Sequence, residues 1–280
     1  MIISDLLNSG SKILKSNKIH THQLDSEIML SELLKEQREK IITNFDKKVS
    51  KNIVKDFKRL IIRRSTSEPL AYILKSKEFW SKNFFVNRNT LIPRPETELL
   101  CDIIIKVFRN KNLYMLDIGT GTGCILLSIL SEINKAKGIG IDISKKAIEV
   151  AKKNSNNLRL NERANFFSRS LDDIYSYKFD LVVSNPPYIK TSDIKNLSED
   201  VRKFEPKIAL DGGKDGLDVI KKVIYKSKTI LKKLGLLAIE IGYGQHYKVS
   251  QILKKQDFKE ELLVEDYQNN IRCILARLKN

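Results

Sequence analysis

Apolar residues in the first seventy positions recur at intervals of three and four, which is the spacing of one face of an α-helix. In the segment DSEIMLSELL, an Asp-Ser start is followed by a shared apolar face of Ile28, Met29, Leu33 and Leu34. This part of the chain has almost no strand pattern. We therefore predict a small helical domain over residues 1–72.

The pattern changes at Pro69, where aromatic residues and short alternating runs replace the helical spacing. The stretch EPLAYILKSKEFWSKNFFVN contains two such runs, and alternation of this kind is typical of short paired strands. We predict a linker with a β-hairpin over residues 73–92.

From residue 111 onward, apolar runs typical of strands alternate with helical patterns. The runs LYMLDIG and GIGID, for example, are followed by GCILLSILSEI and SKKAIEVAKKN. Repeated strand and helix units predict a doubly wound α/β sheet that binds ligands at the carboxyl ends of its strands. The tail segments KEELLVED and NNIRCILARL read as two more strands, an antiparallel pair at one edge. We assign this second domain to residues 93–280.

A glycine-rich loop, DIGTGTG, follows the first strand of this domain. Glycines there let the backbone turn sharply and approach a ligand without an intervening side chain. The loop does not match the GxGxxG dinucleotide pattern, because Cys124 or Leu126 occupies the last glycine position. It does not match the GxxxxGK[ST] phosphate loop either, because Cys124-Ile125 stands where Gly-Lys is required.

Two acids accompany the loop: Asp117 ends the strand before it, and Asp142 ends the strand after it. A carboxylate at a strand end can accept hydrogen bonds from two ribose hydroxyls, and Asp117 stands where a methionine ammonium could be held. This pattern favours S-adenosylmethionine, whose sulfonium needs no phosphate cradle. The candidate cofactor-binding residues from this pattern are Asp117, Gly119, Thr120, Gly121, Thr122, Gly123 and Asp142.

The strand run FDLVVS ends in Asn185-Pro186-Pro187-Tyr188, and the prolines stop the strand because they lack backbone N–H groups. We expect this corner at the same sheet edge as the glycine loop. The Asn185 side-chain oxygen and the Pro186 carbonyl offer two rigidly held acceptors, and Tyr188 offers an aromatic wall. Such acceptors fit a planar NH₂ group of a nucleobase or of a side-chain amide, and would aim its nitrogen at a methyl donor. Asn185, Pro186 and Tyr188 are therefore the candidate catalytic residues.

Composition adds little to this picture. Hydrophobic content of 41% with 30% charged residues is typical of a soluble globular protein, and no apolar run is long enough to cross a bilayer. The N-terminal segment also lacks the features of a signal peptide, so we expect a cytoplasmic protein. A net charge of +17 suits nucleic acid or an acidic protein, but lysines are spread along the whole chain. Cys101, Cys124 and Cys273 are expected to be buried free thiols, and the isolated histidines predict no metal site.

SNPPY is shared by enzymes that methylate planar amino groups of adenine, guanine or glutamine, and the second domain resembles a class I methyltransferase. Three further segments narrow the resemblance: EPLAYIL, LIPRPETE and FEPKIALDGGKDGL. In this order, behind a small helical domain, they are similar to the release factor glutamine methyltransferase family (PrmC/HemK) over essentially the whole chain. RPETE and the FEP before a DGG turn are specific, whereas NPPY and the glycine loop alone are not.

The resemblance implies a seven-stranded doubly wound sheet with the last strand antiparallel, and a helical domain that binds the substrate. It implies S-adenosylmethionine as cofactor and, as the reaction, N5-methylation of the glutamine in the Gly-Gly-Gln motif of peptide chain release factors. The amide of that glutamine would be held by Asn185, Pro186, Pro187 and Tyr188. Over the pocket would lie a lid, or alternatively a salt-bridged hinge, formed by Arg94, Glu96, Thr97 and Glu98.

One position departs from the family pattern. Relatives usually have an acid and an aromatic residue after the third strand, near the adenine, whereas this chain has Ser170-Leu171. Leu171 can still pack on a purine face, so it joins Asn185 among the expected cofactor-binding residues. Asp172 or Asp173 is a candidate to replace the acid.

Two other functions stay open at this point. NPPY and the positive charge also suit an amino-group methyltransferase that acts on adenine or guanine in nucleic acid. The chain has no sizeable target-recognition insertion after NPPY, which argues against a nucleic-acid substrate. The other alternative is a ribosomal-protein glutamine methyltransferase. Only the exact sequence RPETE distinguishes it from a release factor glutamine methyltransferase. We expect release factors as partners and no membrane partner.

Overall fold

The computed structural model describes residues 1–175 and 178–279, and the chain divides into two compact units. The first unit comprises Met1–Lys75 and Ser198–Phe204, and the second comprises Ser76–Leu197 and Glu205–Asn280. The domain limits proposed from the sequence, at residues 72 and 92, stay predictions.

The first unit is built from helices that bury one apolar face each. In order, these helices are α1 (Ile3–Ser16), α2 (His22–Leu34), α3 (Arg38–Thr43), α4 (Lys51–Ser65) and α5 (Leu70–Leu74). On α1, Ile3, Leu6 and Leu14 repeat at helical spacing and are fully buried. Gly10 lies on the same face, and a Cβ there would come 2.8 Å from the Phe57 ring of α4. The two helices can therefore pack closely only because residue 10 has no side chain.

The second unit begins with an antiparallel hairpin of β1 (Ser76–Phe79) and β2 (Lys82–Phe85). The remaining helices and strands follow in this order: α6 (Thr97–Phe108), β3 (Leu113–Ile118), α7 (Cys124–Glu132), β4 (Ala136–Asp142), α8 (Lys145–Asn157), β5 (Ala164–Ser168), β6 (Phe179–Ser184), α9 (Glu199–Phe204), α10 (Asp218–Ile230), β7 (Leu231–Glu240), α11 (His246–Lys255), β8 (Phe258–Glu265) and β9 (Ile271–Leu278). Of these elements, α9 is counted with the first unit.

The large sheet has seven strands in the order β5-β4-β3-β6-β7-β9-β8. Five neighbouring strands of the sheet, β5, β4, β3, β6 and β7, are parallel to one another. Strand β9 runs antiparallel to both of its neighbours, β7 and β8. This arrangement confirms the predicted doubly wound fold, its antiparallel last strand, and the antiparallel pair at one edge. The three cysteines are buried and free, as expected.

Both faces of the sheet are covered, and β3 shows how the sequence achieves this. Leu113 and Met115 belong to the apolar cluster on one face, whereas Leu116 and Ile118 belong to the cluster on the other. A parallel strand buried on both faces has apolar side chains at nearly every position, which is why LYMLDIG is apolar except at Asp117. Within the described ranges, no helix is long and apolar enough to cross a membrane.

Strand register brings four segments to one edge of the sheet. Ile118 of β3 pairs with Ile141 of β4 and with Ser184 of β6, which in turn pairs with Ile239 of β7. These four residues therefore form one row across the sheet. The residues that follow the row on the four strands are Gly119, Asp142, Asn185 and Glu240. The glycine loop, Asp142, the proline corner and Glu240 therefore all lie at the same edge of the sheet, where the parallel strands end.

Candidate functional site

A cavity of about 450 Å³ opens at this edge, within the second unit. That volume lies in the range of small-molecule binding sites, roughly 300 to 1,000 Å³. Seven of the residues singled out from the sequence line it: Gly119, Gly121, Asp142, Leu171, Asp172, Asn185 and Pro187. The other candidate residues lie outside the lining: Asp117, Thr120, Thr122, Gly123, Asp173, Pro186, Tyr188, Arg94, Glu96, Thr97 and Glu98.

The glycine loop has the backbone shape that its composition predicts. Gly119, Gly121 and Gly123 have φ angles of +70°, +54° and +78°, in the left-handed region that residues other than glycine rarely adopt. The Gly119 and Thr120 N–H groups both donate to the Ile141 carbonyl, at 2.9 Å each. The loop is thereby fixed to the end of β4, directly beside Asp142.

Asp142 ends β4 and lies on the cavity wall. Its Oδ2 accepts a hydrogen bond from the Gly121 N–H at 3.1 Å, and its Oδ1 accepts one from the Ser144 N–H at 2.9 Å. Burial raises the pKa of this carboxyl, although these backbone donors act in the opposite direction. Each oxygen retains a second lone pair, so the carboxylate can still accept hydrogen bonds from a ligand.

Asp117 is almost completely buried and only half satisfied. Its Oδ2 accepts a hydrogen bond from the Thr120 hydroxyl at 2.6 Å, whereas Oδ1 has no hydrogen-bond partner among the described residues. Burial raises the pKa of the Asp117 carboxyl to about 7. A buried acceptor without a partner is costly, and a cationic group of a bound ligand would satisfy it. Asp117 does not itself line the cavity, but its unpartnered oxygen fits the ammonium group in the methionine part of S-adenosylmethionine.

The proline corner is held by the DGG turn, and this contact gives the DGG part of the segment FEPKIALDGGKDGL a structural role. Gly212 donates to the Ile189 carbonyl at 2.8 Å, and a Cβ on Gly212 would lie only 2.7 Å from the Pro187 carbonyl oxygen. Gln245, after β7, donates from its side-chain amide to the Tyr188 carbonyl at 3.0 Å. A backbone N–H on one side and a side-chain amide on the other thus fix the direction in which the corner points.

The Asn185 side chain belongs to a hydrogen-bonded chain that the sequence did not indicate. Asn185 Nδ2 donates to Thr97 Oγ1 at 3.1 Å, and the Thr97 hydroxyl donates to Glu240 Oε2 at 2.7 Å. The other oxygen of Glu240 accepts the Tyr188 hydroxyl at 3.3 Å. Burial raises the pKa of Glu240 to about 7 and also raises the pKa of Tyr188. A single signal for Glu240 exists in the sequence: it is the acid that ends the apolar run LGLLAIE.

The predicted lid residues have separate environments. Arg94 forms an ion pair with the buried Glu205 at 2.5 Å, and Glu205 also accepts the Ile92 N–H at 3.1 Å. Glu98 accepts the Trp80 N–H at 2.8 Å, Glu96 is exposed and Thr97 is buried. The two bonds to Glu205 join the LIPRPETE segment to the FEP segment. A role for these residues in substrate binding stays a prediction.

The departure at Ser170-Leu171 lies on the cavity wall. Ser170, Leu171 and Asp172 all line the cavity, whereas the carboxylate of Asp173 accepts the Ser170 N–H at 3.3 Å. Of the two candidate replacement acids, only Asp172 thus reaches the lining. Other lining residues were not predicted from the sequence. They lie before α6 and directly after β4, and they include Arg88, Asn89, Thr90, Leu91, Ile143 and Ser144. Among the residues that the structure describes, no group of three or more His, Cys, Asp or Glu side chains could hold a metal ion.

Family models match both parts of this chain. A model of the PrmC N-terminal domain matches residues 5–74, and a model of a methyltransferase domain matches residues 109–243. Among solved structures, a methyltransferase from Pyrococcus furiosus covers 71% of this chain and 89% of its own, with a TM-score of 0.53 at 15% identity. That likeness concerns the fold.

Curated relatives match over almost the full length. A release factor glutamine methyltransferase of Caulobacter vibrioides is 39% identical over 94% of this chain and 92% of its own. Its namesake in Clostridium botulinum is 37% identical over 99% of both chains. Since relatives at this level of identity span both units, the chain belongs to the release factor glutamine methyltransferase family.

Proposed function

We propose that this protein transfers a methyl group from S-adenosylmethionine to the side-chain amide nitrogen (N5) of the glutamine in the Gly-Gly-Gln motif of peptide chain release factors. The observation that carries the proposal is the position of Asn185, which lies on the wall of the cavity that the glycine loop and Asp142 also line. Membership in the release factor glutamine methyltransferase family supports the choice of substrate.

The cofactor would be held by Asp142 and Leu171 on the cavity wall and by the buried Asp117 behind the glycine loop. Asp117 would accept a hydrogen bond from the ammonium group, since its Oδ1 has no partner within the described residues. Asp142 would accept the ribose hydroxyls, and Leu171 would pack on the adenine. When bound, S-adenosylmethionine supplies an electrophilic methyl group on a sulfonium.

The proline corner would hold the glutamine amide. An amide nitrogen is a poor nucleophile because its lone pair is delocalised into the carbonyl. Asn185 Oδ1 and the Pro186 carbonyl would accept the two amide hydrogens, which orients the nitrogen and favours the positive charge that develops on it during transfer. The two prolines keep both acceptors in place, because the ring fixes φ. Tyr188 and Pro187 would bound the site beside the amide.

The chain needs no strong base for this reaction. Methylation makes the amide nitrogen strongly acidic, so its extra proton can leave to water after transfer. Exclusion of water from the cavity would therefore matter less than correct placement of the nitrogen. We also propose that this activity is cytoplasmic, because the proposed substrate acts where translation terminates.

A transfer assay with different acceptors tests the proposal. The protein is incubated with methyl-labelled S-adenosylmethionine and, separately, with a release factor, ribosomal proteins, or DNA and RNA. We expect label on the release factor and none on a matched release factor in which the Gly-Gly-Gln glutamine is replaced by alanine. Label on nucleic acid or on a ribosomal protein, with none on the release factor, would overturn the proposal.

A further inference from the structure

Glu240 is a buried acid for which the reaction described above has no use. It is 2% exposed, and the described residues form no ion pair with it. A buried carboxylate without a paired cation is costly, so its retention calls for a physical reason. Its two oxygens accept hydrogen bonds from Thr97 and Tyr188, and Thr97 in turn contacts Asn185.

We propose that Glu240 is a positioning residue: acting through the Thr97 hydroxyl, it fixes which end of the Asn185 side-chain amide faces the substrate. This inference rests on the proposed function, because it concerns how Asn185 receives a substrate amide. Glu240 itself does not line the cavity.

The direction of the hydrogen bonds follows from the chemistry of the three groups. An ionised carboxylate can only accept, and a hydroxyl has a single hydrogen to donate. The Thr97 hydrogen is therefore committed to Glu240 Oε2, at 2.7 Å. Only lone pairs of Thr97 Oγ1 remain for Asn185, so the amide must approach with its NH₂ end, which is the orientation of the 3.1 Å contact from Nδ2.

With Nδ2 turned toward Thr97, Asn185 Oδ1 is the end that can accept a hydrogen bond from a substrate. A flipped Asn185 would present NH₂ to the NH₂ of the incoming glutamine, and two donors cannot bond to each other. The carboxylate of Glu240 thus selects the productive amide orientation from two that have nearly the same shape. Shape alone does not make this selection, because the two ends of an asparagine amide are almost the same size.

Glu240 also fixes the other end of the corner. Its Oε1 accepts the Tyr188 hydroxyl at 3.3 Å, so one carboxylate connects to both Asn185 and Tyr188. The two links differ in consequence. Loss of the Tyr188 link removes one contact of an aromatic wall, whereas loss of the Thr97 link also releases the amide orientation of Asn185.

A double-mutant cycle of Thr97→Val and Glu240→Leu tests the proposal with a release factor as methyl acceptor. Each single variant is expected to lower kcat roughly tenfold to a hundredfold, as for the loss of one buried hydrogen bond, with little change in the Kd of S-adenosylmethionine. The double variant should be hardly slower than either single one, because both break the same chain. Thr97→Ser, which keeps the hydroxyl, should recover most of the activity that Thr97→Val loses.

Ser227→Ala is the matched control for removal of a buried hydroxyl. Ser227 is fully buried in α10 and donates to the Val223 carbonyl at 2.7 Å. Ser227 itself does not line the cavity. Its loss should lower the melting temperature without lowering kcat. If Glu240→Leu does not fold, Thr97→Val with its Thr97→Ser counterpart still decides the question.

Three results would overturn the proposal: additive losses in the cycle, no recovery in Thr97→Ser, or kcat losses that only follow the melting temperature. A readout without turnover separates this inference from the proposed function. Hydrogen exchange of the Asn185 side-chain amide, followed by NMR in the free protein, should be faster in Thr97→Val and Glu240→Leu than in the wild type. If the wild type methylates no release factor but this exchange pattern holds, the proposed function fails and the positioning of Asn185 stands. If the exchange rates are equal, the positioning role fails.

Discussion

The Gly121 backbone N–H donates a hydrogen bond to Asp142 Oδ2 at 3.1 Å, and this bond joins the glycine loop to the acid at the end of the next strand. Because β3 and β4 are parallel neighbours, both groups emerge at the same edge of the sheet. One carboxylate therefore shapes the loop and faces the cavity at the same time.

Replacement of Asp142 should weaken cofactor binding more than it affects transfer. Asp142→Ala removes the acceptor proposed for the ribose hydroxyls and the anchor of Gly121, so we expect the Kd of S-adenosylmethionine to rise roughly tenfold to a hundredfold. Titration calorimetry measures this directly. Asp56→Ala, which removes a partly exposed acid of the helical unit, is the control. Unchanged affinity in Asp142→Ala would contradict the assignment.

A small change at Gly212 should disturb transfer through the proline corner. Gly212 has no positive φ, so alanine is allowed by the backbone, but its Cβ would lie 2.7 Å from the Pro187 oxygen and 2.8 Å from Tyr188 Cα. We expect Gly212→Ala to lower kcat at least about tenfold while the Kd of S-adenosylmethionine changes little. Gly244→Ala is the control, because it strains a φ of +74° yet its Cβ meets nothing within 4 Å. Equal kcat in the two variants would show that the corner tolerates the displacement.

The raised pKa of Asp117 has a defined effect on stability. Burial raises it from 3.8 to about 7, so between these values the folded protein holds a proton that the unfolded chain releases. The stabilising contribution of that proton is complete below about pH 4 and is lost as the pH rises through 7, at up to about 1.4 kcal/mol per pH unit. Asp117→Asn carries no such proton.

The measurement is urea unfolding of the cofactor-free wild type and Asp117→Asn at pH 5.5 and pH 7.5. The free energy of unfolding of the wild type, relative to the variant, should decrease at the higher pH. A difference between the two proteins that does not change with pH would show that Asp117 is ionised throughout this range.

Glu240 should give the transfer rate a pH dependence of its own. Burial raises its pKa to about 7; the Thr97 and Tyr188 hydroxyls and the nearby Arg272 act in the opposite direction, and Glu96 in the same one. Below that pH, a protonated Glu240 can donate to Thr97, which frees the Thr97 hydrogen for Asn185 Oδ1 and favours the flipped amide. We therefore expect kcat, measured with both substrates saturating, to fall as the pH drops through about 7. Glu240→Gln should lack this inflection, and its persistence there would assign the titration to another group.

How much of the site the sequence reveals depends on the distance between partners along the chain. The glycine loop and the Asn185 corner are local patterns, in which strand, turn and chemistry lie within a few residues. The link from Thr97 to Glu240 spans 143 residues, and the bond from Arg94 to Glu205 spans 111. Such pairs depend on the order of strands in the sheet, which no local pattern encodes.

The fold shows the same dependence on distance along the chain. Apolar runs predicted the alternating strands and helices because each parallel strand is buried on both faces. The residue row that includes Ser184 and Ile239 depends on the register between β6 and β7, and that register is irregular between Phe179 and Leu181. The arrival of Glu240 beside the proline corner therefore required the structure.

Single-turnover transfer by Asn185→Ala tests the central claim most directly. Wild type and variant are each loaded with methyl-labelled S-adenosylmethionine, mixed with release factor, and followed by mass spectrometry of the Gly-Gly-Gln peptide. The variant should bind the cofactor with nearly unchanged Kd and transfer its methyl group roughly a hundredfold to a thousandfold more slowly, as for the loss of one oriented catalytic hydrogen bond. Transfer by Asn185→Ala at close to the wild-type rate would contradict the account.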